Sequence, residues 1–182
     1  MPRVALYTFG VLKSMFGSEE LSTFRAVASS VFAQAATAEG YIADAGSANP
    51  DRSGHLQLGK SYGAWGIYSA PRFYTGSKQP GELTMIQTLS VWRSVETARQ
   101  FTYEGLHRGA LKQRADWFVK AAWPGYVLWW VADDALPTWS DGVRRLEALH
   151  DNGPAPSGFS FAKPFDPAEE QVEDASTAGS TG

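Results

Sequence analysis

The chain of 182 residues contains no cysteine. That excludes a disulfide framework, a thiolate-held zinc or iron–sulfur centre, and a cysteine nucleophile. Histidine is scarce. His55, His107 and His150 are the three in the chain, and they lack the local spacing of a zinc site. Charged residues make up 19% and the net charge is −3, so there is no surplus of positive charge for a phosphate backbone. No nucleic-acid partner is expected. No apolar run reaches the roughly 20 residues that cross a bilayer. The opening MPRVALYTFG is too short and too mixed for a secretory signal. The expectation is a cytoplasmic protein with no membrane partner. Phosphate-loop, dinucleotide-fingerprint, HExxH and GxSxG motifs are all missing.

What the chain has in excess is aromatic. Phe, Trp and Tyr make up 13%, with 7 Trp. Such side chains fill cores and interfaces, and they also line apolar ligand pockets.

Alternation along Arg3 to Phe9 predicts a strand buried on both faces, with Val4, Leu6 and Thr8 on one side and Ala5, Tyr7 and Phe9 on the other. Ser18 is placed to cap a helix carrying Phe24, Val27 and Val31, and Gly40 to end it. A short strand at Tyr41–Ala45 follows. Residues 46–81 are rich in Gly, Ser, Pro, Asn and Asp and read as a long loop with a strand at Ala64–Ser69. Its Tyr62, Trp65, Tyr68, Phe73 and Tyr74 argue against disorder. Glu82–Trp92 is the clearest strand. Ser94 then caps a helical region reaching about Phe118, with a bend or break near Gly105 and Gly109. Tyr126–Val131 is a strand. Thr138 and Asp141 form a capping pair for a helix that Gly153 ends. Ser157–Ala162 reads as a last strand. The expected organisation is one domain over 1–165, with 46–81 as a loop insertion and 166–182 as a disordered tail. The fold class is α+β, with helices on one face of a mostly antiparallel sheet.

Two features suggest chemistry. On one continuous helix His107, Leu111, Arg114 and Phe118 would share a face, with Tyr103 one turn earlier. A histidine among apolar neighbours can ligate a haem iron or act as a general base, and Arg114 can meet a propionate or another carboxylate. The plainer alternative makes His107 a boundary residue and Arg114 a surface charge. The second feature is the pair Trp129–Trp130, which a strand must point to opposite faces. Both sheet faces therefore need cover, from helices, a pocket or a partner subunit.

Residues 91–131 carry a specific pattern. VWRSVETARQFTYEGLHRGALKQRADWF, followed by PGYVLWWVADDALPT and GVRRLEALHDNGPAPSGFSF, closely resembles a bacterial family known as a domain of unknown function. That family looks like a branch of the dimeric α/β-barrel superfamily, alongside antibiotic-biosynthesis monooxygenases, haem-degrading monooxygenases and spheroidene monooxygenase. The resemblance runs from about Glu82 to Phe165. It implies a ferredoxin-like domain whose sheet pairs with that of a second copy in a homodimeric barrel. It also implies an oxygenase-type enzyme, acting on an apolar or aromatic small molecule in natural-product tailoring. By that resemblance His107 matches the axial haem ligand and Arg114 the group holding an anion. Tyr7, Trp92, Phe101, Tyr103, Leu111, Trp117, Phe118 and Trp130 would line the substrate cavity. A cofactor-free variant would use His107 as a base. The alternatives are a non-catalytic binder of hydrophobic ligands or stress-response protein, or a cofactor-free cyclase or isomerase. The sequence departs from the family pattern at Gly105 and in the length of 46–81.

Overall fold

Alternating apolar residues from Arg3 to Val11 form β1, the strand on which the molecule is built. In this computed structural model, residues 1–48, 56–79 and 81–168 are described. A single turn at Glu19–Leu21 leads into α1 (Ser22–Ala35), then β2 (Tyr41–Asp44). After the long connection come β3 (Met85–Trp92), α2 (Val95–Tyr103), α3 (Gly105–Lys112) and α4 (Arg114–Trp117). The chain then forms β4 (Tyr126–Val131) and α5 (Trp139–Asn152).

The four strands make one antiparallel sheet in the order β2-β3-β1-β4. Two crossovers interleave, so β1 lies between the strands that follow it, an α+β arrangement. Tyr7 stands opposite Leu89 on β3 and Val127 on β4. The period-2 rule then fixes both faces. One carries Ala5, Tyr7, Phe9, Leu89, Val91, Val127 and Trp129. The other carries Val4, Leu6, Trp92 and Leu128, with Trp130 at its margin.

Helices were expected on one face of the sheet, and the structure corrects this by placing them on both. On the Val4 face, Trp92 and Leu128 pack with Val95 and Ala98 of α2 and with Phe159 and Phe161. On the Tyr7 face, α5 docks through Trp139, Leu146 and Leu149, together with Tyr62, Trp65, Tyr68 and Tyr74 from the long connection. The reason is visible in α5, whose buried residues fall along one stripe that needs an apolar partner. The second face does need a cover, and the chain supplies it.

The long connection is therefore a wall. Tyr68 and Lys60 lie in a small hairpin, where Tyr68 N–H donates to the Lys60 carbonyl at 2.9 Å. The Arg72 backbone N–H donates to Glu147 at 2.6 Å, and the Arg72 side chain pairs with Asp151, fastening the segment to α5. Beneath it the Tyr7 hydroxyl donates to Gln87 Oε1, and Gln87 Nε2 donates to the Ser69 carbonyl at 3.0 Å. Burial, chiefly, pushes the Tyr7 phenol well above its ordinary value, so it stays protonated and remains a donor.

Several boundaries differ from the sequence reading. Ala64–Ser69 yields a turn at Gly63–Trp65 and a single bridge, Ser61 to Ile67. Ser157–Ala162 likewise makes only isolated bridges, of which Leu128 to Phe159 is the one to the sheet. Ser18 makes no side-chain cap. His55 and the tail beyond 168 lie outside the described residues.

Candidate functional site

Where β1 ends, the chain continues its pairing with a segment from far along the sequence. Leu12 bridges Phe118, Lys13 N–H donates to the Trp117 carbonyl, and Val119 N–H donates to the Val11 carbonyl, both at 2.9 Å. Gly10 makes room for this. A Cβ there would lie 2.7 Å from Phe118 Cδ1. The Phe118 ring instead lies against the strand and meets Phe24 edge-on, with ring centroids 5.5 Å apart. The short α4 thus sits at the end of the sheet, with Trp117 buried beneath it against Leu12, Leu21 and Phe24.

Around this junction lies a cleft of about 560 Å³. Leu111, Phe118, Val119 and Trp123 give it apolar and aromatic walls, and Lys13, Lys112, Arg114 and Lys120 line it with positive charge. No acidic side chain and no histidine lines it. Lys13 Nζ donates to the Ala115 carbonyl at 2.6 Å. The Arg114 guanidinium stands over the Phe118 ring, 5.7 Å from its centroid, and pairs with no carboxylate among the described residues. Trp123 closes one side and stacks on Phe73 at 5.4 Å.

Of the site residues read from the sequence, the structure brings Leu111, Arg114 and Phe118 to this cleft. The others lie elsewhere. Tyr7, Trp92 and Trp117 are buried core. Trp130 packs on Phe159 and donates its indole N–H to the Phe165 carbonyl at 2.9 Å. Phe101 stacks on Trp92 at 5.0 Å, and Tyr103 is exposed beside Phe161. The single helical stripe does not form: α2 and α3 part at Glu104 and Gly105, where Gly105 takes a φ of +56°, which cuts off Tyr103, and α3 ends at Lys112 before α4 opens at Arg114, with Phe118 in extended backbone beyond it. Lys13, Lys112, Lys120 and Trp123 were not singled out from the sequence. The run of cations from Lys112 to Lys120 ahead of Trp123 was a usable local signal, whereas Lys13 joins them only through the tertiary pairing.

His107 is half-buried on α3, leaning on Phe101 with ring centroids 5.2 Å apart. Its Nδ1 lies 2.7 Å from the Thr102 carbonyl oxygen. A carbonyl only accepts, so Nδ1 carries the proton and Nε2 keeps the lone pair. That is the state a ligand histidine or a general base needs. In one respect, then, His107 fits a haem ligand. However, it does not line the cleft that Arg114 lines, so the two groups meant for iron and propionate share no wall of that cavity. Among the described residues, no group of three or more His, Cys, Asp or Glu is placed to hold a metal ion. No helix there is long and apolar enough to cross a membrane.

Burial, chiefly, lowers the His107 pKa, and the Thr102 contact opposes this without reversing it. A lowered folded value means the unfolded chain, with histidine near 6.5, takes up the proton first. The stability this contributes is complete above that value and is lost as pH falls through the folded one. Urea midpoints measured at pH 7.5 and 5.5 should therefore fall towards the acid side, and His107→Phe should flatten that slope. An unchanged slope would mean the ring protonates freely in the fold.

The pattern of the family Domain of unknown function (DUF3291) matches residues 3–175. The chain belongs to this family. No curated protein and no solved structure matches it. Within this DUF3291 chain, the cleft is a cavity in which charge and aromatic surface meet.

Proposed function

We propose that the protein binds an amphipathic, anionic small molecule in the cleft bounded by Lys13, α4 and residues 118–125. The observation that carries this is the lining: four cations and no carboxylate around apolar and aromatic walls. Cations held together without a counter-charge favour an anion, and the walls favour an apolar body attached to it. A volume near 560 Å³ suits a ligand of modest size. The lining lacks the carboxylate or histidine of an acid–base pair, so binding is the chemistry these residues support best. All of them come from one chain, and the reading needs no second copy.

The aromatic sulfonate 1-anilinonaphthalene-8-sulfonate tests it against its neutral analogue N-phenyl-1-naphthylamine. The sulfonate should bind one to one and weaken with added salt, because exposed charges are screened. The double charge reversal Lys112→Glu with Lys120→Glu should weaken it about tenfold or more and leave the neutral dye little changed. Equal binding of both dyes, or indifference to the reversal, would sink the proposal.

A second reading follows the resemblance of 91–131 to oxygenases: a homodimeric, barrel-type monooxygenase with haem on His107. The contact supporting it is the one between Nδ1 and the Thr102 carbonyl. The likeness to antibiotic-biosynthesis and haem-degrading monooxygenases is analogy at the level of fold. Hemin separates the two readings, because it is itself an aromatic dicarboxylate. Binding through the cleft should fall with the charge reversal and survive His107→Ala. A Soret shift lost in His107→Ala would favour the haem enzyme.

A further inference from the structure

Arg114 opens α4, and its side chain packs against two neighbours. The Phe118 ring lies under the guanidinium. The second neighbour is Gly125, where a Cβ would lie 2.9 Å from Nη2, 3.1 Å from Nη1 and 3.4 Å from Cζ. Gly125 is itself anchored, since its carbonyl accepts the Phe9 N–H at 2.9 Å. Its backbone φ is not in the left-handed region, so what an added Cβ would disturb here is the place of the guanidinium and not the backbone conformation. The guanidinium therefore sits in a slot that glycine leaves open. It has no carboxylate partner among the described residues, and three lysines line the same cleft.

We propose that Arg114 is the head-group clamp of this cleft and that Gly125 is its positioning residue. The fork would receive an anionic group presenting two oxygens, as a carboxylate, sulfonate or phosphate ester does. This rests on the cleft reading above and narrows it. A lysine is a point charge, whereas a guanidinium pairs two N–H groups with two oxygens in one plane. The apolar body of the ligand would then lie along Phe118 and Val119, with the lysines setting the potential that draws the anion in.

The test compares 2-naphthoate, which carries the two-oxygen head, with its neutral methyl ester, by calorimetric titration of the full chain. Arg114→Lys keeps the charge and loses the fork. Gly125→Ala keeps the arginine and fills its slot. Each should weaken naphthoate about tenfold or more and change the ester less than about twofold. Lys112→Gln, which removes one point charge, should cost only a few-fold. Thermal melts of each variant report whether the fold is retained, and Arg114→Lys alters an exposed side chain only. If naphthoate fails to bind the wild type at all, the cleft reading falls and the clamp falls with it. If the wild type binds naphthoate in a salt-sensitive way and Arg114→Lys binds it equally well, the clamp is wrong while the cleft stands. Equal losses for naphthoate and ester would also overturn the clamp, because they would report shape and not charge.

Discussion

Trp139→Ala is expected to cost about 3–5 kcal/mol of stability, the range for deleting a large buried aromatic. Trp139 stands at the first position of α5 and is 1% exposed. Its indole meets Tyr7 edge-on at 6.5 Å and Tyr68 at 4.9 Å. It therefore ties three parts of the molecule together: the central strand, the long connection and the helix that covers them. Alanine leaves a cavity among rings that cannot close in, because Tyr7 and Tyr68 are fixed by Gln87 and by their own burial. A whole domain is stable by only about 5–15 kcal/mol, so this is a large share. Trp139→Phe should cost far less. The indole nitrogen is buried with no hydrogen-bond partner among the described residues, so phenylalanine removes an unpaired donor along with some packing. Urea unfolding of both variants at pH 7.5 checks this. Similar losses for Ala and Phe would mean the indole N–H has a partner that matters.

The parts of this fold legible in the sequence are those set by local chemistry. Tyr126–Val131 reads as a strand because apolar residues, mostly β-branched and aromatic, run unbroken between a Pro–Gly turn and a pair of aspartates. Thr138 and Asp141 read as a capping pair, and the structure shows both halves of the box. Ser94 caps α2 in the same way, with Thr97 as its partner. The opposite directions of Trp129 and Trp130 follow from the pleat alone. What fails is non-local. Ala64–Ser69 reads as a strand but finds one bridging partner, and no local pattern tells a ladder from a bridge. Residues 46–81 read as an aromatic loop insertion, and Tyr62, Trp65, Tyr68 and Tyr74 form the wall of a core, because composition does not say what a ring packs against. The site was partly legible for the same reason. Leu111, Arg114 and Phe118 came from helical spacing, although that helix breaks, whereas Lys13 is brought in by the Leu12–Phe118 bridge. Asp141 shows how a local motif carries electrostatic detail too. Burial pushes its carboxyl up, but hydrogen bonds from Thr138 and Arg144 outweigh that and hold it below the usual range.

Gly142→Ala should destabilise the protein by about 2–3 kcal/mol, although in an ordinary helix the same change stabilises by roughly 0.5–1 kcal/mol. The sign is reversed by Tyr7. A Cβ at position 142 would lie 2.5 Å from Tyr7 Cδ2 and 2.6 Å from Cγ. Tyr7 cannot retreat, because it is fully buried on the central strand and its hydroxyl is bound to Gln87. The strand cannot retreat either, being paired on both sides. Only α5 can give way, and lifting it opens the contacts of Trp139, Leu146 and Leu149 together. Gly109→Ala in α3 is the matching control. Its Cβ would meet nothing within 4 Å, so it should show the ordinary helical gain. The contact itself is isolated by a double-mutant cycle with Tyr7→Ala, which removes the Cγ and Cδ2 that the added Cβ would strike. The paired variant should be less destabilised than the sum of the two single changes. Additive losses would mean α5 already stands far enough from β1 for a methyl group, and that glycine at 142 is there for some reason other than close approach.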